Sequence, residues 1–262
     1  MQILTLIPEA GTYGVAILAA LSLGSFNIAA HIAARWGGDA TAALPSVCVA
    51  VNAAIIAFGA LIVPAGALFP PDAVRSAVAL GAGAAAGWAA FRLDLALGRR
   101  WRQRPAPRRA PAAEEPRIRA IRARPLPTRG GRAAVARRGG SVTRFGEAGR
   151  GARFRLWHLI VLAAEEEVIF RGFLVTLALS LPHPALNVAA LIVTTAAFCV
   201  SHLTYGWRHA AGKVPLAVLA LGLVLATGTV LGAVAVHVVF NLLVFRSNGF
   251  AIRMPQPAAV RR

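Results

Sequence analysis

Charged side chains are scarce in this sequence. Only 15% of its 262 residues are Asp, Glu, Lys or Arg, against about 25% in soluble domains. With a mean hydropathy of +0.64, that shortage argues for a polytopic membrane protein and against a water-soluble enzyme. Cysteine is limited to Cys48 and Cys199, both inside apolar runs, which excludes a disulfide framework. The chain has no CxxC, no HExxH and no phosphate-binding glycine loop, so the common local signatures of redox, zinc and nucleotide chemistry are missing. No basic residue lies between Met1 and Tyr13, unlike the start of a cleavable signal peptide.

Positive charge is abundant but confined. The formal net charge is +18, and residues 99–155 hold 18 of the 28 basic side chains and 3 of the 10 acidic ones. This segment is rich in Pro, Arg, Gly and Ala and has no sustained hydrophobic period. It reads as a disordered loop that fixes topology and lies against anionic lipid headgroups. It lacks aromatics interleaved with its arginines, so nucleic acid is not an expected partner.

Apolar runs flank the loop on both sides. Thr12–Ala34, Ala43–Phe69 and Ser76–Leu97 come first, each long enough to cross a bilayer at ~1.5 Å per residue. Arg92 and Asp94 interrupt the third, whose Gly83-Ala-Ala-Ala-Gly87 pattern would admit a close neighbouring helix. Trp157–Leu181 and Ala185–Leu203 follow. Val214–Phe245 carries no charge and is too long for one span, so a break at Thr227-Gly228-Thr229 is expected to leave two short or tilted helices beside a cavity. An all-α bundle of about seven spans results. The positive-inside rule places the basic loop, the Arg208 and Lys213 loop and the C-terminus in the cytoplasm, and the N-terminus outside the cell membrane. Residues 1–98, 99–155, 156–246 and 247–262 form N-terminal helices, loop, site-bearing block and tail.

Polar residues inside the second block need explanation. Glu165, Glu166, Glu167 and Arg171 share one span, and each such residue costs roughly 2.5–3.5 kcal/mol at a helix centre. Glu167 and Arg171 are four apart and can pair. Glu165, on another face, is expected to snorkel to the cytoplasmic rim. That leaves Glu166 without a structural partner. His202 closes the following span, and His237 and Asn241 share a face of the last one. Counted from the flanking Trp157, Arg208 and Arg246, Glu166, His202 and His237 fall ~9–13 Å below the inner rim. A carboxylate beside an imidazole can hold a water and take its proton, and His237 with Asn241 can donate to an oxyanion. A His₂Glu zinc site of Glu166, His202 and His237 is the alternative mechanism. A non-enzymatic scaffold or immunity-type binding protein is the alternative function. Ion coupling is disfavoured, because the first three helices do not repeat the polar pattern.

Glu166-Glu167-Val168-Ile169-Phe170-Arg171, Phe198 to His202 and His237 to Asn241 resemble, in order, the EExxxR, FxxxH and HxxxN motifs of the CAAX protease and bacteriocin-processing (CPBP) family of intramembrane endopeptidases. The resemblance covers roughly residues 155–246. It implies an α-helical intramembrane endopeptidase acting on a peptide or protein substrate at the membrane, with its site open to the cytosolic leaflet; no cofactor is expected, with Zn²⁺ as the alternative. Glu166 would be the general base, His202 would help hold the water, His237 and Asn241 would form the oxyanion hole, and Glu167 and Arg171 would support them. Substrate, prenylation and oligomeric state are not legible.

Overall fold

The computed structural model describes residues 8–35, 40–103 and 154–247. These form α1 (Pro8–Arg35), α2 (Ala40–Ala60), a single turn α3 (Ala65–Leu68), α4 (Ala73–Gln103), α5 (Leu156–Glu167), α6 (Leu174–Leu179), α7 (Pro184–Ser201), α8 (Trp207–Gly212), α9 (Val214–Thr227) and α10 (Leu231–Ser247). A π-helical turn, Val168–Phe173, joins α5 to α6 without a break, and a 3₁₀ turn, His202–Tyr205, follows α7. No strand occurs among the described residues. The protein is a multi-pass helical bundle. Five helices are long and apolar enough to cross a membrane, with α8 and α9 acting as one rod, and α10 is a shorter apolar helix. The seventh expected rod is the charged α5–α6 segment.

Two boundaries differ from the sequence expectation. α4 runs to Gln103 over 31 residues, about 46 Å at 1.5 Å per residue, so its end extends beyond a hydrocarbon core of about 30 Å. Arg99 therefore belongs to a helix rather than to the basic loop. The remainder of that loop, residues 104–153, and the tail beyond Ser247 lie outside the described residues. The second difference concerns Lys213, expected in a cytoplasmic loop. It joins α8 to α9 within continuous helical backbone, with its N–H bonded to His209 O and Ala210 O, and its side chain is 1% exposed.

One apolar core crosses both blocks. Leu18 of α1 and Ile55 of α2 cluster with Phe173, Leu174, Phe198, Leu216 and Phe240. The broadest helix contact is between α4 and α10. It depends on small residues, because a Cβ on Gly87 would stand 2.6 Å from Val236 O, and one on Gly83 would press on Gly232 O. The glycine pair thus brings α4 onto the α10 backbone beside His237, as expected for small-residue packing between membrane helices. The α9–α10 break falls at the expected Thr227-Gly228-Thr229. Gly228 takes a left-handed conformation (φ 66°) and donates its N–H to Val224 O, a helix ending that favours glycine. Thr229 Oγ1 and Val230 N–H both donate to Leu68 O of α3, pinning that turn to the first block. Away from the core, Leu186, Val188, Ile192 and Val193 of α7 are exposed and form an apolar face suited to acyl chains.

Candidate functional site

Helix geometry brings the three sequence motifs together. Glu166 and Glu167 close α5, His202 follows the last turn of α7, and His237 and Asn241 lie one turn apart on α10. Glu166 Oε2 is 3.9 Å from His202 Nε2 and 3.9 Å from His237 Nδ1. Both separations exceed a hydrogen bond. The Glu166 side chain is 28% exposed, whereas Glu167 and His237 are buried. Of the two matched carboxylates, only Glu166 has substantial exposure.

Partners define the imidazoles. His202 Nδ1 lies 2.9 Å from Phe198 O. A carbonyl only accepts, so Nδ1 carries a hydrogen, and in the neutral ring Nε2, turned toward Glu166, carries a lone pair. His237 Nδ1 lies 2.8 Å from Glu167 Oε1, and its Nε2 lies 3.3 Å from Lys213 Nζ. Glu167 Oε2 in turn stands 3.3 Å from Arg171 Nε. The expected Glu167–Arg171 pair is present, and it supports His237 as well as neutralising a buried charge.

Arg171 sits in the π turn, where Ile169 through Phe173 are all buried. Such turns are rare and occur often at functional sites. The Arg171 guanidinium carbon is 3.8 Å from the centre of the Phe198 ring. Phe198 also meets His237 edge-on at 5.7 Å and His202 at 4.9 Å. This fully buried ring is the platform on which both imidazoles and the guanidinium rest.

Two expected placements change. Glu165 does not snorkel. It is buried near Asn52 of α2, a carboxamide of the first block that local sequence does not connect with it. Asn241, one turn beyond His237 on α10, has its Nδ2 donating to Leu159 O at 3.3 Å, tying α10 to α5. The single N–H of His237 is likewise engaged, by Glu167. Four further residues contribute near the site without a sequence signal of that role. Phe198 is a motif position whose packing no spacing reveals, while Lys213, Asp94 of α4 and His209, stacked on His202 at 5.7 Å, have no local motif. Buried Asp94 and Lys213 lie within electrostatic range of each other. The chain contains one lysine among its 28 basic residues, the one feature of the sequence that singles out Lys213.

Residues 151–243 match the family model of the type II CAAX prenyl endopeptidase Rce1-like proteins. The second helical block is therefore similar to Rce1-like proteins over about a third of the chain. No curated protein and no solved structure matches the chain. The Rce1-like segment includes α5 through most of α10 and contains all six residues expected from the sequence. It leaves out α1 to α4, and with them Asn52 and Asp94.

Proposed function

We propose that the protein is an intramembrane endopeptidase that hydrolyses a peptide bond of a membrane-associated substrate near the cytoplasmic leaflet. The observation that carries this reading is the 3.9 Å spacing of Glu166 Oε2 from His202 Nε2. Two hydrogen-bond acceptors face each other there, too far apart to bond directly and close enough for one water to donate to both. A water held in this way presents its lone pairs to a carbonyl carbon. As its oxygen forms the new C–O bond, Glu166 takes its proton and the carbonyl electron pair moves onto oxygen. When the C–N bond breaks, the amine nitrogen receives that proton from Glu166. An oxyanion beside Glu166 competes with Glu167 for the Nδ1–H of His237. Asn241 completes the oxyanion site only if its Nδ2 is released from Leu159 O.

The zinc alternative fits the donor set poorly. It requires Glu166, His202 and His237, yet one nitrogen of His237 faces Glu167 and the other faces Lys213. No three His, Cys, Asp or Glu side chains are grouped to hold a metal among the described residues. The same reading keeps the N-terminus outside, with the basic segment on cytoplasmic anionic lipid.

The test is cleavage of a prenylated CAAX reporter by membranes containing the wild-type chain and Glu166→Gln. The proposal expects cleavage to disappear while insertion and thermal stability persist, with metal analysis showing no stoichiometric zinc. Equal cleavage by the variant would refute it, and zinc lost together with activity in Glu166→Ala would replace the mechanism.

A further inference from the structure

Lys213 is the one lysine of the chain, and it is placed where a cation is hard to accommodate. Its side chain is 1% exposed, and taking an ammonium out of water costs several kcal/mol unless it is paired. The structure surrounds it with compensating groups. Glu166, Asp94 and Glu167 lie within electrostatic range, and Nζ sits 4.9 Å from the centre of the Phe240 ring, a cation–π arrangement. Phe240 is three residues after His237, so Lys213 lies along the face of α10 that carries the imidazole. Nζ is 3.3 Å from His237 Nε2.

A lysine ammonium has three donors and no acceptor. A ring nitrogen facing it must therefore present its lone pair, which leaves the ring hydrogen on Nδ1. On Nδ1 the partner is Glu167 Oε1 at 2.8 Å, with Glu166 Oε2 at 3.9 Å. We propose that Lys213 is a positioning residue: by donating to His237 Nε2 it holds that imidazole as the Nδ1–H tautomer, with its one N–H directed toward the two carboxylates. An arginine would carry the same charge, but its planar fork is wider than the compact ammonium, and 27 of the 28 basic positions are arginine. Asp94 of α4 lies within electrostatic range of Lys213, so a helix outside the Rce1-like segment borders this arrangement. The inference deepens the proteolytic reading and rests on it for its functional meaning, although the tautomer itself does not depend on proteolysis.

The experiment is nitrogen NMR of the full chain in lipid, labelled with ¹⁵N-histidine and ¹⁵N-lysine. One lysine gives one Nζ resonance, and His237→Gln assigns the His237 ring. The wild-type chain is expected to show His237 protonated at Nδ1 only, with its Nε2 close in space to Nζ. Lys213→Met, which keeps the stem and removes the donors, should let Nε2 take a proton and give the imidazolium, because Glu167 still holds a hydrogen on Nδ1. Lys213→Gln, which retains a donor amide, should restore the Nδ1–H form. A merely structural lysine would lower stability in Lys213→Met and leave Nε2 unprotonated. On cleavage of the prenylated reporter, Lys213→Met should lower kcat roughly 10-fold or more with little change in KM, the scale of outer residues that orient an imidazole. A wild-type ring protonated at Nε2, or a ring whose Nε2 stays unprotonated in Lys213→Met, overturns the inference. If Lys213→Met fails to fold, the wild-type spectrum and Lys213→Gln still decide it. Absence of cleavage by the wild-type chain, with the tautomer as expected, would count against the protease and not against the role of Lys213 in setting the ring.

Discussion

Among the described residues of α1 to α4, the buried polar side chains are Ser22, Asn52 and Asp94. In α5 to α10, two carboxylates, a guanidinium, an ammonium and several imidazoles are buried within a few helical turns. Two of the three polar groups of the first block lie near charged groups of the second: Asn52 near Glu165, and Asp94 near Lys213. The contrast teaches that chemistry and support are divided between the blocks but packed as one body. The Rce1-like segment holds the candidate reacting groups, while the first block supplies polar partners, the α4 seam and the Leu68 carbonyl that pins the α9–α10 turn.

Variants can break that division in order of expected effect. The sharpest contrast lies between adjacent carboxylates. Glu166→Gln should lower kcat/KM by ~10²–10⁴, the contribution of a general base. Glu165→Gln, aimed at α2, should leave the rate within a few-fold. Rate measurements showing the reverse would move the site to the α2 side. Next comes Glu167→Gln. It leaves Arg171 buried without its charge partner, which costs on the order of 3–5 kcal/mol and should appear as a large drop in Tm in detergent. An unchanged Tm would mean that the 3.3 Å pair contributes little to the fold.

The seam between the blocks gives the third comparison. Gly87→Leu forces side-chain atoms toward Val236 O and should cost ~1–3 kcal/mol or more. Gly81→Leu, on the same helix with nothing within 4 Å of its Cβ position, should be close to neutral. Similar melting temperatures for the two would contradict the close approach of α4 and α10. The smallest effect belongs to Asn52→Leu, which removes the partner of a buried Glu165 carboxyl. It should cost about 1–3 kcal/mol of stability while leaving reporter cleavage largely intact.

Much of this arrangement is legible in the amino-acid sequence. Apolar runs locate the helices, because a bilayer fixes their length, and Thr227-Gly228-Thr229 marks a real break, because glycine alone enters the left-handed conformation without steric cost. Glu166, His202 and His237 group by depth, since rise per residue converts sequence distance into depth. What stays hidden depends on contacts between distant helices. Glu165 reads as a snorkelling residue because its partner Asn52 is in the other block. Lys213 reads as a loop cation because the positive-inside rule counts charges without knowing which are buried. The π turn around Arg171 leaves no pattern, since a wider turn changes which residues share a face without changing composition. Phe198 opens the FxxxH match in sequence, but only packing shows that two imidazoles and a guanidinium rest on it.

The most direct measurement is a double-mutant cycle on reporter cleavage with Glu166→Gln, His202→Gln and both together, each checked for an unchanged melting temperature. If one carboxylate and one imidazole hold a single attacking water, either substitution removes most of the rate and the pair removes little more. Independent losses that multiply in the double variant would show that the two side chains act on different events and would contradict the account.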